Sequence, residues 1–403
     1  MRPVTVVLAT RIYPPEVGAA AFRLRQLVRA LADRGATVRV STSVPPPGSG
    51  AAPPEPPGVR VDRRWVLRDR EGAVRGYLPY LSFDLPLVLR LLRGPRPDLL
   101  VAEPPPTTGL AVLAAARLRR VPYAYFAADL LSEAAAAAGS PAPVVRAVRA
   151  MESLVLRRAA VILAVSDDVA AKAAGLGAPA DQVVVVGNGV DTALFTAEGE
   201  PVRAEVPTAV YAGTMSEIQG AGVFLRAVAA VPPERRDFRL VLIGQGTHLA
   251  ELRGQARALG VDDVVDFPGV LPADRTAAHL RGAAVALGSA VPGTGYEFAI
   301  PTKLYAALAC GAPVLFAGTG AGEELVRRHD VGVAVPYDPE RVAEALVDAV
   351  HHPPSPQRRA ELADWAARTV SLAAVGERGA DALLASVAGQ ADAATEPRES
   401  GPA

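Results

Sequence analysis

Two stretches of this chain read alike. Near the N-terminus, VTVVLATRIYPPEVGAAAFRLRQLVRAL passes from an apolar strand through a proline-broken glycine loop into a helix. Near the middle, TAVYAGTMSEIQGAGVFLRAVAAV does the same from Thr208 to Val231. Each reads as the opening βα unit of its own α/β domain. Two such domains predict parallel sheets facing across a cleft, with helix-start amides aimed into it, which suits a nucleotide-bearing ligand. The 403 residues are enough for two cores of that kind.

The spacing predicts strands at 4–9, 37–43, 99–102, 123–127, 161–165 and 183–186 in the first domain, and at 209–212, 240–243, 264–267, 285–287 and 314–316 in the second. Helical patterns alternate with them. Expected boundaries are 1–198 for the first domain, 199–370 for the second, 371–388 for a helix returning to the first, and 389–403 for a disordered tail. The stretch from Gly76 to Leu92 is densely apolar and broken by prolines. It reads either as an internal helix after a turn or as an apolar lip touching a lipid or another acceptor.

Composition excludes several functions. Lys plus Arg equals Asp plus Glu at 42 each, which gives no case for non-specific nucleic-acid binding. Cys310 is the single cysteine, so neither an intrachain disulfide nor a cysteine metal cluster can form, and a reducing cytoplasm is the expected compartment. No acidic triad or histidine spacing implies a metal. No signal-peptide pattern opens the sequence, and no apolar run reaches the roughly 18 residues a bilayer span needs. Peripheral contact with the inner membrane face stays open.

Chemistry-bearing residues gather at predicted strand ends. Gly18 sits where backbone amides at a helix start attract anions. Glu16 beside it would repel phosphate; it is read as binding an acceptor hydroxyl or holding Arg23 or Arg25. In the second domain Gly213, Thr214 and Gly220 flank a loop without Lys or Arg, so a diphosphate there needs charge from elsewhere. Lys303 is the expected supplier, in the first turn of a helix opened by Pro301 and Thr302. A cation gains nothing from the helix dipole at that end, but an anion caught beside it would explain the placement. Gly244 and Gly269 let a base or ribose approach strand ends. Glu297, Glu323 and Glu324 are candidates for sugar or ribose hydroxyls, with helix capping as the alternative for the last two. Asp129 and Glu133 follow a strand of the first domain. Asp129 would orient or deprotonate an acceptor hydroxyl, or else cap the next helix.

With these residues in place, the chain resembles a GT-B glycosyltransferase of the large retaining family 4. The similarity is strongest to bacterial transferases that move N-acetylated hexosamines or N-acetylfucosamine. The opening loop is matched by YPPEVGAAAFR, a D-L-x-x-E pattern by Asp129, Leu130 and Glu133, and an N-G-V-D motif by Asn188 to Asp191. Y-A-G-T-M-x-x-x-Q-G runs from Tyr211 to Gly220, and the P-S-K helix is matched by Pro301, Thr302, Lys303 and Gly311 to Val314. Thr214 and Gln219 stand where many members place Arg and Lys. The family's paired glutamates fall on Phe298 and Ala306.

The resemblance implies two Rossmann-like domains and metal-free, cofactor-free transfer from a nucleoside diphosphate sugar, UDP-sugar favoured, to a hydroxyl of a small-molecule, natural-product, lipid or glycan acceptor. Asp129 and Lys303 would be catalytic. Gly18, Gly213, Thr214, Gly220, Gly244, Gly269, Glu297, Thr302, Glu323 and Glu324 would bind donor, and Glu16, Arg25 and Glu133 acceptor. A sugar-nucleotide epimerase of the same fold, or a nucleotide-sugar-binding partner protein with impaired catalysis, are the alternatives.

Overall fold

The computed structural model describes residues 2–16, 18–69, 72, 74, 76–137, 139–294, 297 and 301–395. The chain forms two compact units, residues 1–188 with 372–403, and residues 189–371.

Unit 1 contains β1 (Thr5–Ala9), α1 (Ala19–Asp33), β2 (Thr37–Ser43), β3 (Val59–Arg64), α2 (Tyr77–Arg93), β4 (Leu99–Ala102), α3 (Pro106–Arg119), β5 (Tyr123–Ala127), α4 (Leu131–Ala137), α5 (Ala142–Leu156), β6 (Val161–Ala164), α6 (Asp167–Gly175) and β7 (Val183–Val185). Its seven strands run in the order β3-β2-β1-β4-β5-β6-β7, and every pair is parallel. The central runs are buried on both faces, which is why they read as unbroken apolar strings: β4 and β5 are buried at every position. Consecutive strands leave β1 in opposite directions at the β1–β4 boundary, so the chain's loops diverge there and open a crevice at the strand carboxyl ends.

Unit 2 contains β8 (Thr208–Ala212), α7 (Gly222–Ala230), β9 (Arg239–Ile243), α8 (Leu249–Ala258), β10 (Val265–Gly269), α9 (Ala273–Gly282), β11 (Val285–Ser289), α10 (Thr302–Ala309), β12 (Val314–Ala317), α11 (Ala321–His329), β13 (Gly332–Val335), α12 (Pro339–His351) and α13 (Pro356–Thr369). Its order, β10-β9-β8-β11-β12-β13, repeats the same divergence at β8–β11. Both sheets are doubly wound, as the sequence pattern predicts.

The chain then returns to unit 1 through α14 (Leu372–Thr395), which packs on α1. Gly376 permits this, because a Cβ there would lie 2.7 Å from the Gln26 carbonyl oxygen. Arg378 donates from Nη2 to the Val186 carbonyl at 2.7 Å. The helix runs to Thr395, past the residue 389 at which disorder is expected. The unit boundary lies at Asn188, ten residues before the expected one, because Val190 donates its amide to Val370 of unit 2 at 2.8 Å.

Two strands escape the sequence reading, and both are sheet edges. β3 pairs only with β2, and its VRVDRR run is half exposed, so it carries charge instead of an apolar run. β13 opens on Gly332, whose Cβ would lie 1.9 Å from the Val314 carbonyl oxygen. Only glycine lets the two strands approach there.

Candidate functional site

In unit 2 the candidate residues collect at the carboxyl ends of β8 and β11. The loop after β8 is held by its neighbours: the amides of Gly213 and Met215 donate to Ile243 and Gln245, each at 2.9 Å, and Val291 donates to Ile218 at 2.9 Å. Ser289 Oγ also donates to the Gln219 carbonyl. Gly220 has φ +60°, and a Cβ there would lie 2.3 Å from the Tyr337 hydroxyl, which donates to the Gly220 carbonyl at 2.7 Å. At Gly244 φ is +135°, and a Cβ would lie 2.0 Å from the Gly213 carbonyl oxygen. Gly244→Ala is therefore expected to cost about 1–3 kcal/mol of stability and to push the Gly213 loop outward. A thermal melt and a nucleotide titration check both effects; unchanged values would show that the loop tolerates the extra carbon.

Lys303 reaches this loop from the first turn of α10, whose N-cap is Pro301. It is one of two lysines in the chain; the other, Lys172, pairs with Asp168 at 2.9 Å on α6. The Lys303 ammonium donates to Gln219 Oε1 at 2.9 Å and to the Tyr211 hydroxyl, and sits 3.9 Å from the Tyr211 ring centre. The Tyr211 hydroxyl in turn donates to the Thr214 carbonyl at 2.7 Å. Burial pushes the ammonium down to about 7, since its described partners are neutral and no carboxylate among them offsets desolvation. Burial likewise raises the Tyr211 phenol. A cation so held is stabilised by any anion that arrives.

Tyr211 and Gln219 stand in the matched motif, but no role follows from the letters alone. The structure shows Gln219 accepting from the lysine through Oε1, a neutral partner for the cation. Arg226, one turn into α7, is a second cation missed by the reading of the loop. It lines a cavity of about 170 Å³ with Ser216, Gly220, His248 and Tyr337. Thr302 is exposed at the start of α10, and Thr214 is exposed on the loop. Gly269, φ +79°, has open space where its Cβ would be, and its carbonyl accepts from Gly244 at 2.8 Å.

The three candidate glutamates of this unit, Glu297, Glu323 and Glu324, are engaged locally. Glu297 accepts from the amides of Gly293 and Thr294, the latter at 3.2 Å, and its carbonyl accepts from Ala321 at 2.7 Å. Its carboxylate thus closes its own loop. Glu323 and Glu324 lie in the first turn of α11 and pair with Arg327, at 3.0 Å, and Arg328. Ala306 is buried in the α10 core, and Phe298 lies outside the described residues.

In unit 1 the corresponding strand ends carry Thr10, Glu103 and Asp129. Thr10 Oγ1 donates to the buried Glu103, tying β1 to β4 across the divergence point. Burial raises the Glu103 carboxyl, and Thr10, Arg23 and Arg11 pull it back. Arg23, on α1, is buried over the Phe126 ring at 5.0 Å. Asp129 is exposed beyond β5 and makes no hydrogen bond among the described residues. Desolvation raises its carboxyl above the ordinary range, with Arg23 and Arg11 opposing.

Asp129 does not cap α4. Glu152 of α5 does so, accepting from the Leu131 amide at 2.5 Å and the Ser132 amide at 3.2 Å. A buried carboxylate reaching back from the next helix leaves no sequence signal. Glu152→Ala is expected to cost about 1–3 kcal/mol by orphaning those amides, with Glu152→Gln costing less. Denaturant midpoints of the two variants decide it; equal, negligible losses would count against the cap.

The expected partners of Glu16 are corrected. It pairs with Arg68, at 3.0 and 3.3 Å, and not with Arg23 or Arg25, because the loop after β3 folds over it. Arg25 donates to the Pro54 carbonyl at 2.8 Å, and Glu133 pairs with Arg149 at 3.1 Å on the surface. Gly18 caps α1 with φ 173°, extended backbone open to any residue, and a Cβ there would meet nothing nearer than Ile12 Cγ2 at 3.9 Å. Nothing in the fold itself demands glycine there.

Among the described residues no group of His, Cys, Asp or Glu has metal-holding geometry, and no helix is long and apolar enough to cross a membrane.

Residues 18–189 match the family model described as glycosyl transferase 4-like domain, and residues 206–352 the model described as glycosyl transferases group 1. The chain is 32% identical over 188 residues to a D-inositol 3-phosphate glycosyltransferase of Acidothermus cellulolyticus, covering 42% of this chain and 41% of that protein. It is 31% identical over 172 residues to a GDP-mannose-dependent alpha-(1-6)-phosphatidylinositol dimannoside mannosyltransferase of Mycobacterium tuberculosis, covering 41% and 42%. These matches span less than half the length of either relative. In fold the chain is similar to Anabaena Alr3699/HepE in complex with UDP-glucose, with a TM-score of 0.62 at 18% identity, covering 94% of this chain and 99% of that one. It is also similar to WaaG, a glycosyltransferase involved in lipopolysaccharide biosynthesis, with a TM-score of 0.60 at 18% identity and coverage of 94% and 99%.

Proposed function

We propose that this chain, whose two units match glycosyltransferase family models, moves a hexosyl or N-acetylhexosaminyl group from a nucleoside diphosphate sugar to an acceptor hydroxyl with retention. The observation that carries this reading is Lys303: a half-buried ammonium at the β8–β11 divergence, held by neutral partners beside the loop after β8. That is a receptor for a diphosphate. Unit 2 holds the donor, with the Gly213–Gly220 loop and Arg226 around its phosphates. A UDP-sugar is favoured, in keeping with the complex of the structurally similar Anabaena protein.

In the transfer, the bond from the sugar's anomeric carbon to the diphosphate oxygen breaks. The acceptor oxygen bonds to the same face of that carbon. The acceptor proton passes to the departing diphosphate, whose growing charge Lys303 stabilises. Asp129, at the β5 end of unit 1, orients the acceptor hydroxyl. Its raised carboxyl and lack of a structural partner support that role. The acceptor is a small molecule, natural product or glycan.

A panel of nucleoside diphosphates and their sugars, read by thermal shift, tests donor binding. UDP and its sugars are expected to raise the melting temperature. Product analysis with and without acceptors then tests the reaction. Sugar transferred only when acceptor is present supports the proposal; a new sugar nucleotide formed without acceptor would assign the chain to epimerisation instead.

A further inference from the structure

At the amino ends of β5, β6 and β7, unit 1 carries a pocket that the proposed transfer does not use. It has a volume of about 400 Å³ and is walled by the ends of α3 and α5 and by the residues leading into those three strands. Pockets of this size hold small molecules. Strand β5, about 16 Å long, separates it from Asp129 at the carboxyl end of the sheet. The rim is cationic. Arg117 and Arg120 come from the end of α3, Arg157 and Arg158 from the end of α5, and all four are exposed. Arg157 donates to the Leu176 carbonyl at 3.3 Å. The side chains of the other three have no hydrogen bond or ion pair among the described residues.

Four like charges around one pocket repel each other. Elsewhere on this surface an acid relieves such charge, as Glu133 does for Arg149. Among the described residues no Asp or Glu lines this pocket; Asp181, just before Gln182, is exposed and outside its wall. The wall itself is under-bonded. Tyr123 is 2% exposed, and its hydroxyl is buried without a hydrogen-bond partner; Gln182 Oε1 is buried and unpartnered too. A buried polar group left unpaired costs about 1–3 kcal/mol. Desolvation holds the phenol far above its ordinary value, so it keeps its proton and can donate. Either end of the Gln182 amide can bond a hydroxyl. Unpaired cations over two orphaned polar groups fit a ligand with an anionic end for the arginines and the phenol, and a hydroxyl for the amide.

We propose that this pocket binds a small sugar phosphate, at the end of the sheet remote from Asp129. The phosphate oxygens accept from the guanidiniums, whose planar forks match them, and from the Tyr123 hydroxyl. A hydroxyl of the sugar bonds Gln182. Entry turns the arginine side chains at the mouth onto the anion, which their exposure allows.

The test is a calorimetric titration of the full chain with glucose 1-phosphate, without nucleotide, in about 0.15 M salt to screen diffuse attraction. Saturable binding is expected, with inorganic phosphate several-fold weaker. Arg117→Glu with Arg158→Glu is expected to lower affinity at least tenfold with an unchanged thermal melt of the free chain, since both side chains are exposed. Tyr123→Phe is expected to lower it several-fold while the free chain melts no lower than wild type, because the hydroxyl has no partner to lose. It decides the matter should the arginine variant not fold. Lys303→Ala is expected to bind the probe as wild type does, which separates this site from the donor reading. The proposal is overturned if the wild-type chain shows no saturable binding, or if the arginine variant or Tyr123→Phe binds as tightly as wild type. Loss of binding in Lys303→Ala would overturn it too, assigning the probe to the donor site. Inorganic phosphate binding as tightly as glucose 1-phosphate would overturn the assignment to a sugar phosphate.

Discussion

Lys303→Ala is expected to lower kcat for sugar transfer by about 10²–10³-fold while leaving the fold in place. The lysine is the cation that meets the loop after β8, and its described contacts are with Tyr211 and Gln219, neither of which carries charge. Lys303→Arg should rescue little, because the grip by Gln219 Oε1 and the Tyr211 ring fits a compact ammonium rather than a planar fork. The pH dependence of nucleotide diphosphate affinity gives an independent readout. Burial holds the free lysine at about 7. Below that pH it is already charged, and binding gains its full attraction. As pH rises through that value the free lysine loses its proton, and a bound diphosphate must recover it. Affinity therefore falls as pH rises above about 7, by up to about tenfold per unit until the raised pKa of the bound state is passed. Calorimetry in buffers of different ionisation heat should show proton uptake on that limb. A flat affinity profile, or an alanine variant that turns over normally, would remove the diphosphate from this lysine.

The second large effect is expected at Asp129. Asp129→Asn should reduce transfer by about 10²–10⁴-fold with nucleotide affinity preserved. Its side chain has no structural work to lose: α4 is capped by Glu152, and Asp129 itself has no hydrogen bond among the described residues. The wild-type rate should also fall in acid through a pKa above the usual carboxylate value, because desolvation outweighs the opposing Arg23 and Arg11. A rate unchanged by the substitution would pass the orienting role to Glu103, the neighbouring buried carboxylate. Measuring the folding stability of Asp129→Asn beside Glu152→Ala separates the roles, since only the second should weaken the fold.

How much of this was legible in the letters follows from local physics. A strand buried on both faces must be apolar at every position, so β1, β4, β5 and β8 announced themselves. Alternation with helices then determined a pair of doubly wound sheets, and the repeat of the opening βα unit determined two domains. Pro301 before Thr302 and Lys303 marked a helix start with a misplaced cation. The edge strands β3 and β13 were not legible, because a strand paired on one side needs no apolar run.

Tertiary structure alone decided what each polar side chain is free to do. Glu297, Glu323 and Glu324 read as ligand groups, yet each is engaged by a nearby amide or arginine. Glu16 read as a partner of α1 and turned out to face Arg68, brought over by the loop after β3. Sequence fixes which residues are chemically able to act; only the packing of distant segments sets whether a charge is already neutralised. Lys303 shows both halves. Its place in a helix start is written in order, while its lowered basicity depends on Tyr211 and Gln219 closing around it from another part of the chain.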